Sequence, residues 1–252
     1  MRVFGLIGYP LSHSFSPGYF AQKFAKEGID DASYRLFPIE TIDKLNELLA
    51  SEPNIIGLNV TIPYKQQVIP MLNEIDETAR HIGAVNTILV SNTSNGINLK
   101  GYNTDVIGVR ESLRGQEYHK NALILGNGGA TKAVAYTLMQ LGISYTIVSR
   151  SPKEPNQLSY DQLSEKIIQE NTLIINTTPL GMSPNINGCP PIPYQALSPN
   201  HFIFDLIYNP EETLFMKKAH QNGAQTLNGK LMLYSQAEAS WQLWNKTENN
   251  YL

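Results

Sequence analysis

A glycine-rich stretch near the middle of the chain, residues 123–131 (LILGNGGAT), constrains the fold more than any other feature of the sequence. A short apolar run leads into a glycine cluster, and a segment with apolar residues at helical spacing follows. This order is typical of a strand, a tight turn and a helix N-terminus, whose unpaired N–H groups attract phosphate. The stretch therefore predicts a dinucleotide-binding unit. Its predicted cofactor contacts are Gly126, Asn127, Gly128, Gly129 and Ala130.

The second part of this unit bears on which dinucleotide is bound. Thr131 stands where the common fingerprint has glycine or alanine, and a glycine-rich corner can also be purely structural. The next strand, residues 145–148, ends in Ser149, Arg150 and Ser151, where the fingerprint places an acid for the ribose hydroxyls. All three are predicted cofactor contacts, and because an arginine pairs with phosphate, Arg150 with nearby Lys153 favours NADP over NAD. The alternative is that the cations are ordinary surface groups.

Length and composition set the class of protein. The 252 residues, 42% hydrophobic and 16% charged, predict a soluble globular protein with one large core or two modest ones. A net charge of -3 without a basic run argues against nucleic acid as a partner. No signal peptide or membrane span is evident, so we expect a cytoplasmic protein. One cysteine forms no internal disulfide, and the histidines lack metal-ligand spacing, so no metal site is predicted.

Apolar runs and amphipathic segments alternate along the first half of the chain. Strands are predicted at 3–8, 34–37 and 55–60, and the first helix is predicted to have Ser16 as its N-cap and to stop at Gly28. Such alternation indicates parallel βαβ units, in which ligands collect at the carboxyl ends of strands. The polar residues expected at these ends are Ser14, Ser16, Asn59, Thr61 and Lys65.

A hairpin and a domain boundary are predicted near residue 100. The Ser-Asn-Gly sequence at 94–96 is a turn signal between two apolar runs. A helix is expected directly after residues 101–105, and further strands and helices then continue to a last helix near 231–245. We therefore expect a first domain formed by 1–103 plus 232–252 and a second formed by 104–231.

Eight segments, in order along nearly the whole chain, resemble shikimate dehydrogenase, which reduces 3-dehydroshikimate with NADPH. They are GYPLSHSFSP at 8–17, NVTIPYK at 59–65, GAVNT at 83–87, GYNTD at 101–105, GNGGA at 126–130, NTTPLGM at 176–182, DLIYNP at 205–210 and NGKLMLYSQA at 228–237. The resemblance implies an α/β protein of two domains. One is an N-terminal substrate domain with a mostly parallel sheet, the other is a Rossmann-like NADP-binding domain, and the active site lies in the cleft between them.

The resemblance also implies a role for individual residues. Lys65 and Asp105 match the family's catalytic pair, and Ser14 and Ser16 match residues that bind the substrate carboxylate. The matches for residues that bind ring hydroxyls or line the pocket are Asn59, Thr61, Asn86, Asp105, Gln236 and Tyr208. Further cofactor contacts are implied for Thr177, Met182 and Gly229. Independently of the family, hydride transfer to a ketone leaves an alkoxide, and a lysine ammonium held against it supplies both charge and proton.

Two positions depart from the family pattern, and several readings stay open. Phe20 stands where many members have histidine, and Ser149 replaces an asparagine often found before the phosphate-binding arginine. Lys65 and Asp105 could instead be a surface lysine and a helix N-terminal carboxylate. The first rival function is a quinate or quinate/shikimate dehydrogenase that uses NAD or NADP. Others are a catalytically silent dinucleotide-binding module and a folate-type dehydrogenase. The expected partners are small molecules, and the expected assembly is a monomer or homodimer.

Overall fold

The computed structural model of the protein describes residues 1–11, 14–94, 96–155 and 157–245. The chain divides into two compact units. The first comprises Met1–Thr104 with Ala237–Leu252, and the second comprises Asp105–Gln236. Each unit contains its own sheet and its own buried apolar clusters.

The first unit contains six strands, named here in chain order. They are β1 (Arg2–Gly8), β2 (Ala32–Pro38), β3 (Ile55–Val60), β4 (Glu74–Ile75), β5 (Thr87–Thr93) and β6 (Gly96–Tyr102). Its helices are α1 (Ser16–Glu27), α2 (Leu45–Ser51) and α3 (Glu77–Ile82), together with the later part of α8 (Lys230–Trp244). The order of the strands in the sheet is β2-β1-β3-β5-β6-β4.

Both parallel and antiparallel pairs occur in this sheet. β1 pairs in parallel with β2 and β3, and β4 pairs in parallel with β6. β5 runs antiparallel to both β3 and β6, and Thr93 opposite Gly96 forms the end of the predicted hairpin. Asn95, the central residue of that turn signal, lies outside the described residues. The predicted strands at 3–8, 34–37 and 55–60 are confirmed within one or two residues.

The start of α1 corrects one detail of the sequence analysis. Phe15 occupies the N-cap position, so Ser16 is the first helical residue rather than the cap, and Pro17 follows within the first turn. Gly28 ends the helix as predicted, with a left-handed φ of 65°. Phe20 is fully buried with Phe4, Phe24 and Trp244, so the departure from histidine is accommodated by an aromatic cluster.

The second unit alternates strands and helices in the way that the glycine-rich stretch predicts. Its strands are β7 (Asn121–Leu125), β8 (Ser144–Val148), β9 (Gln157–Leu158), β10 (Leu173–Asn176), β11 (Phe202–Asp205) and β12 (Gln225–Leu227). Its helices are α4 (Asp105–Ser112), α5 (Gly129–Gln140), α6 (Glu165–Glu170), α7 (Leu214–Gln221) and the first part of α8. All its strand pairs are parallel, in the order β12-β11-β10-β7-β8-β9.

Apolar side chains cover both faces of this parallel sheet. Leu123, Ile174 and Ile203 belong to one buried cluster, whereas their neighbours Ile124 and Ile175 belong to another. This alternation is expected because successive side chains of a strand point to opposite faces. The predicted α/β class with a Rossmann-like unit is confirmed. Among the described residues, no helix is long and apolar enough to cross a membrane.

Candidate active site

One edge of the first sheet collects the residues predicted to bind substrate. β1 and β3 are parallel and end together, at Gly8 and Val60. Because β5 is antiparallel to β3 and β6 is antiparallel to β5, β5 begins and β6 ends at this same edge. The predicted residues placed along it are Ser14, Ser16, Asn59, Thr61, Lys65 and Asn86.

Asn86 precedes β5 and is almost completely buried. Its Oδ1 accepts a hydrogen bond from the backbone N–H of Thr104 at 2.7 Å, and its Nδ2 donates to the Thr104 hydroxyl at 3.0 Å. Its own backbone joins the two neighbouring strands, since its carbonyl accepts from Val60 and its N–H donates to Tyr102. The backbone of Asn86 is therefore held by both neighbouring strands, and its side-chain amide is held by Thr104.

Tyr34 on β2 links two of the predicted substrate residues, and sequence reasoning missed it. Its hydroxyl donates to Asn59 Oδ1 at 2.9 Å. Burial raises the pKa of this hydroxyl, and a hydrogen bond from the Ser16 side chain opposes the rise. The Tyr34 ring stacks on Phe20 with centroids 4.3 Å apart and planes at 11°. No local pattern reveals such a role, because it depends on a neighbouring strand.

Ser14 and Ser16 lie half-buried before and at the start of α1. The Ser14 hydroxyl accepts from the backbone N–H of Ser16 at 3.4 Å, a short-range turn contact of the kind serine commonly forms. Two hydroxyls on adjacent turns of this type can both donate to one carboxylate. Thr61 is half-buried directly after β3, and its N–H donates to the carbonyl of Ile7 on β1.

Lys65 is half-buried on a series of turns that follows β3, rather than on a regular helix. Its backbone carbonyl accepts from Val85 N–H at 2.7 Å, which holds the turn against the segment before Asn86. The preceding residue, Tyr64, is buried and donates to the Ile39 carbonyl at 2.6 Å. The backbone of Lys65 is thus held from both sides.

In the second unit, Asp105 is the first residue of α4 and is 5% exposed. A carboxylate at this position is stabilised by the helix dipole. Gln236 lies half-buried on α8, and its Nε2 donates to the Leu233 carbonyl at 3.0 Å.

The glycine turn after β7 leads directly into the N-terminus of α5. Gly126 has φ +116°, and a Cβ there would lie 2.6 Å from the Thr177 hydroxyl oxygen. Asn127 and Gly128 are exposed, and α5 begins at Gly129, with Ala130 in its first turn. The turn therefore presents backbone N–H groups to solvent at the positive end of a three-turn helix.

Thr131 explains the departure from the common glycine fingerprint. Its hydroxyl accepts from the Gly128 N–H at 3.0 Å and lies 2.8 Å from the Thr177 hydroxyl. The Thr177 hydroxyl in turn donates to the Leu125 carbonyl at 2.8 Å. The side chain at 131 therefore caps α5 and ties the glycine turn to the end of β10.

The loop after β8 holds the predicted phosphate-binding residues. Arg150 and Ser151 are exposed, and no described residue forms an ion pair with Arg150. Ser149 is buried, and its hydroxyl has no hydrogen-bond partner among the described residues. Gln157, which sequence reasoning missed, accepts from Asn127 Nδ2 at 3.4 Å and from the Lys153 N–H at 3.0 Å. It joins this loop to the glycine turn.

The ends of β10 and β11 are joined by a buried carboxylate. Asp205 Oδ1 accepts from Asn176 Nδ2 at 2.9 Å and from the Ile207 N–H at 3.1 Å, and Oδ2 accepts from the Thr213 hydroxyl at 2.6 Å. Asn176 Oδ1 accepts from the N–H and hydroxyl of Thr178 at 3.0 and 2.7 Å. This network fixes the segments that follow both strands.

Three further predicted residues depend on those segments. Met182 is 46% exposed on the rim of an open depression of about 470 Å³ lined by residues from 179 to 188. Tyr208 is half-buried, and burial raises the pKa of its hydroxyl. Gly229 is buried so closely against Leu206 that a Cβ would clash with the Leu206 carbonyl oxygen. Only glycine fits at position 229 without moving that backbone.

Burial raises the pKa of Asp205 from 3.8 to about 6, although the hydrogen bonds from Thr213, Ile207 and Asn176 oppose the rise. The folded state therefore binds more protons than the unfolded state between these two values. Stability contributed by this group is present at low pH and is lost as pH rises from 3.8 to about 6.

Asp205→Asn is expected to remove that pH dependence. The new amide can donate to the Thr213 oxygen and accept from Ile207, so the fold is retained. The unfolding free energy of the unchanged protein, minus that of the variant, is expected to fall by about 3 kcal/mol across this pH range. Urea unfolding at a series of pH values measures it, and a difference that does not change with pH would contradict the prediction.

Within the part of the chain that the structure describes, no group of three or more His, Cys, Asp or Glu residues is arranged to hold a metal ion. The charged side chains described at these sites are Lys65, Asp105, Arg150 and the buried Asp205, and the remaining polar groups are hydroxyls, amides and backbone N–H groups.

Comparison with known proteins identifies the family. The model of the shikimate dehydrogenase substrate binding domain matches residues 6–88. The NADP(+)-dependent shikimate dehydrogenase of Methanosphaera stadtmanae is 37% identical, over 99% of this chain and 93% of its own length. A crystal structure of shikimate dehydrogenase in complex with NADP+ is 34% identical, with a TM-score of 0.84 over 97% of this chain and 90% of the other.

A third similar protein has a different activity. The structure of quinate dehydrogenase from Corynebacterium glutamicum in complex with NAD is 28% identical, with a TM-score of 0.84 over 98% of this chain and 94% of that one. The sequence and structural similarity to shikimate dehydrogenases extends along almost the whole length of the chain. The chain belongs to the shikimate dehydrogenase family.

Proposed function

We propose that this protein catalyses the NADP-dependent reduction of 3-dehydroshikimate to shikimate, in aromatic amino acid biosynthesis. The observation that carries the proposal is similarity along almost the whole chain to enzymes of this activity, with 37% identity to the enzyme of Methanosphaera stadtmanae. The partners proposed here are small molecules rather than nucleic acid, in keeping with a net charge of -3.

The first unit supplies the proposed substrate residues. Ser14 and Ser16 donate to the substrate carboxylate, and Asn59, Thr61 and Asn86 bind ring hydroxyls. Tyr208 and Gln236 are further proposed substrate residues. Support comes from the single sheet edge along which the first five are placed. Hydroxyl and amide side chains can donate hydrogen bonds to the hydroxyls of a substrate ring and accept hydrogen bonds from them.

Lys65 and Asp105 are the proposed catalytic pair. Bound NADPH supplies the hydride that reduces the ketone. Lys65 holds its Nζ protons toward the ketone oxygen, stabilises the negative charge that develops there, and transfers one proton to it. Asp105 accepts a hydrogen bond from a substrate hydroxyl.

The residues around the glycine turn fit NADP. The exposed Asn127 and the start of α5, at Gly129 and Ala130, offer N–H groups for the pyrophosphate, whereas Arg150 offers a guanidinium for the additional phosphate. The buried, unpartnered Ser149 hydroxyl beside Arg150 is a further donor for that phosphate. Thr177, Met182 and Gly229 complete the proposed cofactor contacts.

The second candidate is a quinate or quinate/shikimate dehydrogenase, because a quinate dehydrogenase bound to NAD has the same fold along the chain. Purified protein is assayed by reduced-nicotinamide absorbance with shikimate and quinate, each with NADP and NAD. Turnover confined to shikimate with NADP supports the main proposal. Turnover with quinate or NAD moves the assignment to the second candidate, and absence of turnover with clear NADP binding contradicts both.

A further inference from the structure

Three buried hydroxyls of the first unit lie together next to Asn59 and Asn86. Thr87 is the first residue of β5, Thr104 follows β6, and Ser240 lies on α8; all three are 1% exposed or less. The Ser240 oxygen lies 2.9 Å from that of Thr87 and 3.1 Å from that of Thr104, and the two threonine oxygens are 3.1 Å apart. They form a closed triangle, which we call the hydroxyl triangle.

The hydroxyl triangle contacts both asparagines. Asn59 Nδ2 donates to the Ser240 oxygen at 2.9 Å, and Asn86 Nδ2 donates to the Thr104 oxygen at 3.0 Å. Thr87 donates to Asn86 Oδ1 at 3.0 Å. Thr87 and Thr104 belong to the strand segments next to Asn86, whereas Ser240 is contributed by α8.

The amide of Asn59 is held at both ends. Its Oδ1 accepts from the Tyr34 hydroxyl, and its Nδ2 faces Ser240 at 2.9 Å, Thr87 at 3.2 Å and the Asn86 carbonyl at 3.3 Å. An amide nitrogen carries two protons, so protein acceptors use its whole donor capacity. An amide oxygen has two lone pairs, and one of them is left after Tyr34.

We propose that Ser240 is a positioning residue of the substrate site, whose hydroxyl orients the Asn59 amide so that Oδ1 accepts from a substrate hydroxyl. This inference rests on the proposed function, in which Asn59 binds the ring. It adds a direction to that contact: the substrate hydroxyl donates and Asn59 accepts. It also gives α8 a role at the site through a residue that does not itself touch the substrate.

The packing of α8 does not require this hydroxyl. Ala237, Trp241 and Trp244 pack against Phe4 and its neighbours, and Trp244 Nε1 donates to the Ile88 carbonyl at 3.0 Å. Alanine at 240 keeps the helix and removes one oxygen, since alanine has the highest helix propensity. A buried hydroxyl is favourable only where polar partners meet it, and the partners of Ser240 include the Asn59 amide and the two threonines.

Ser240→Ala tests the inference, with Ser112→Ala as a matched control. Ser112 is also a buried helical serine, but its hydroxyl donates to Gly108 in its own helix. In Ser240→Ala we expect KM for shikimate to rise about fivefold to tenfold, with KM for NADP within about twofold, because a hydrogen bond that orients a binding group is lost. Ser112→Ala is expected to change neither KM, even where both variants melt at a lower temperature.

Tyr34→Phe removes the hydrogen bond at the other end of the same amide, together with the contact of that hydroxyl with Ser16, and tests the orientation of Asn59 if Ser240→Ala does not fold. It too is expected to raise KM for shikimate and to spare KM for NADP. An unchanged KM for shikimate, or equal rises for both substrates, would overturn the positioning role. Lack of shikimate turnover by the unchanged protein would instead overturn the proposed function, and the positioning role with it.

Discussion

Lys65→Ala is expected to lower kcat by roughly two orders of magnitude or more, while KM for shikimate changes little. In the proposed reaction the alkoxide must gain a proton, and Lys65 is the proposed donor. The Lys65 side chain is half-buried. Its backbone carbonyl accepts a hydrogen bond from Val85, and the neighbouring residue Tyr64 is anchored by its hydrogen bond to Ile39. Truncation at Cβ therefore leaves the turn in place, and steady-state kinetics in both directions measure the loss.

Two further substitutions separate the role of the proton from that of the charge. Lys65→Arg keeps a cation but supplies a guanidinium that does not give up its proton, so kcat is expected to stay close to that of the alanine variant. Lys44→Ala removes an exposed lysine paired with Glu40 and is expected to leave kcat unchanged. A wild-type kcat in Lys65→Ala would remove this residue from the mechanism, whereas recovery in the arginine variant would assign it a purely electrostatic role.

Features carried by a short segment were predictable from the sequence. The glycine turn, the apolar strands on either side of it and the glycine that ends α1 each follow from local backbone chemistry. The placement of polar residues at strand ends follows from the alternation of strands and helices. The one-residue error at Ser16 arose because serine suits both the N-cap and the first turn, and the backbone of Phe15 decided between them.

Residues that act through a partner distant in sequence were not predictable. Tyr34 and Asn59 are 25 positions apart, Asn176 and Asp205 are 29 apart, and Asn59 and Ser240 are 181 apart. Each pair meets only because the sheet order or the return of α8 brings it together, and no periodicity encodes that. Thr131 was visible only as an exception to a fingerprint, and its contacts with Gly128 and Thr177 explain the exception.

Arg150→Ala is expected to raise KM for NADP about tenfold to a hundredfold and to change KM for NAD less than about twofold. A guanidinium and a phosphate form charge-assisted hydrogen bonds, and NAD lacks the phosphate that this arginine is proposed to bind. Arg150 is exposed after β8 and has no ion-pair partner among the residues described, so its removal breaks no internal contact of that kind. Initial rates with each dinucleotide, at saturating shikimate, measure the ratio.

Arg114→Ala is the matched control, because it removes an exposed arginine of the same unit that pairs with Glu111. It is expected to leave both KM values unchanged. Equal weakening of NADP and NAD in Arg150→Ala would show that the arginine supports the loop rather than the phosphate. The Ser149 hydroxyl is buried and has no hydrogen-bond partner among the described residues, so we expect it to gain one when the phosphate is bound beside it. Ser149→Ala should therefore also raise KM for NADP more than KM for NAD. If both Arg150→Ala and Ser149→Ala lose the preference for NADP over NAD, the additional phosphate binds at the end of β8.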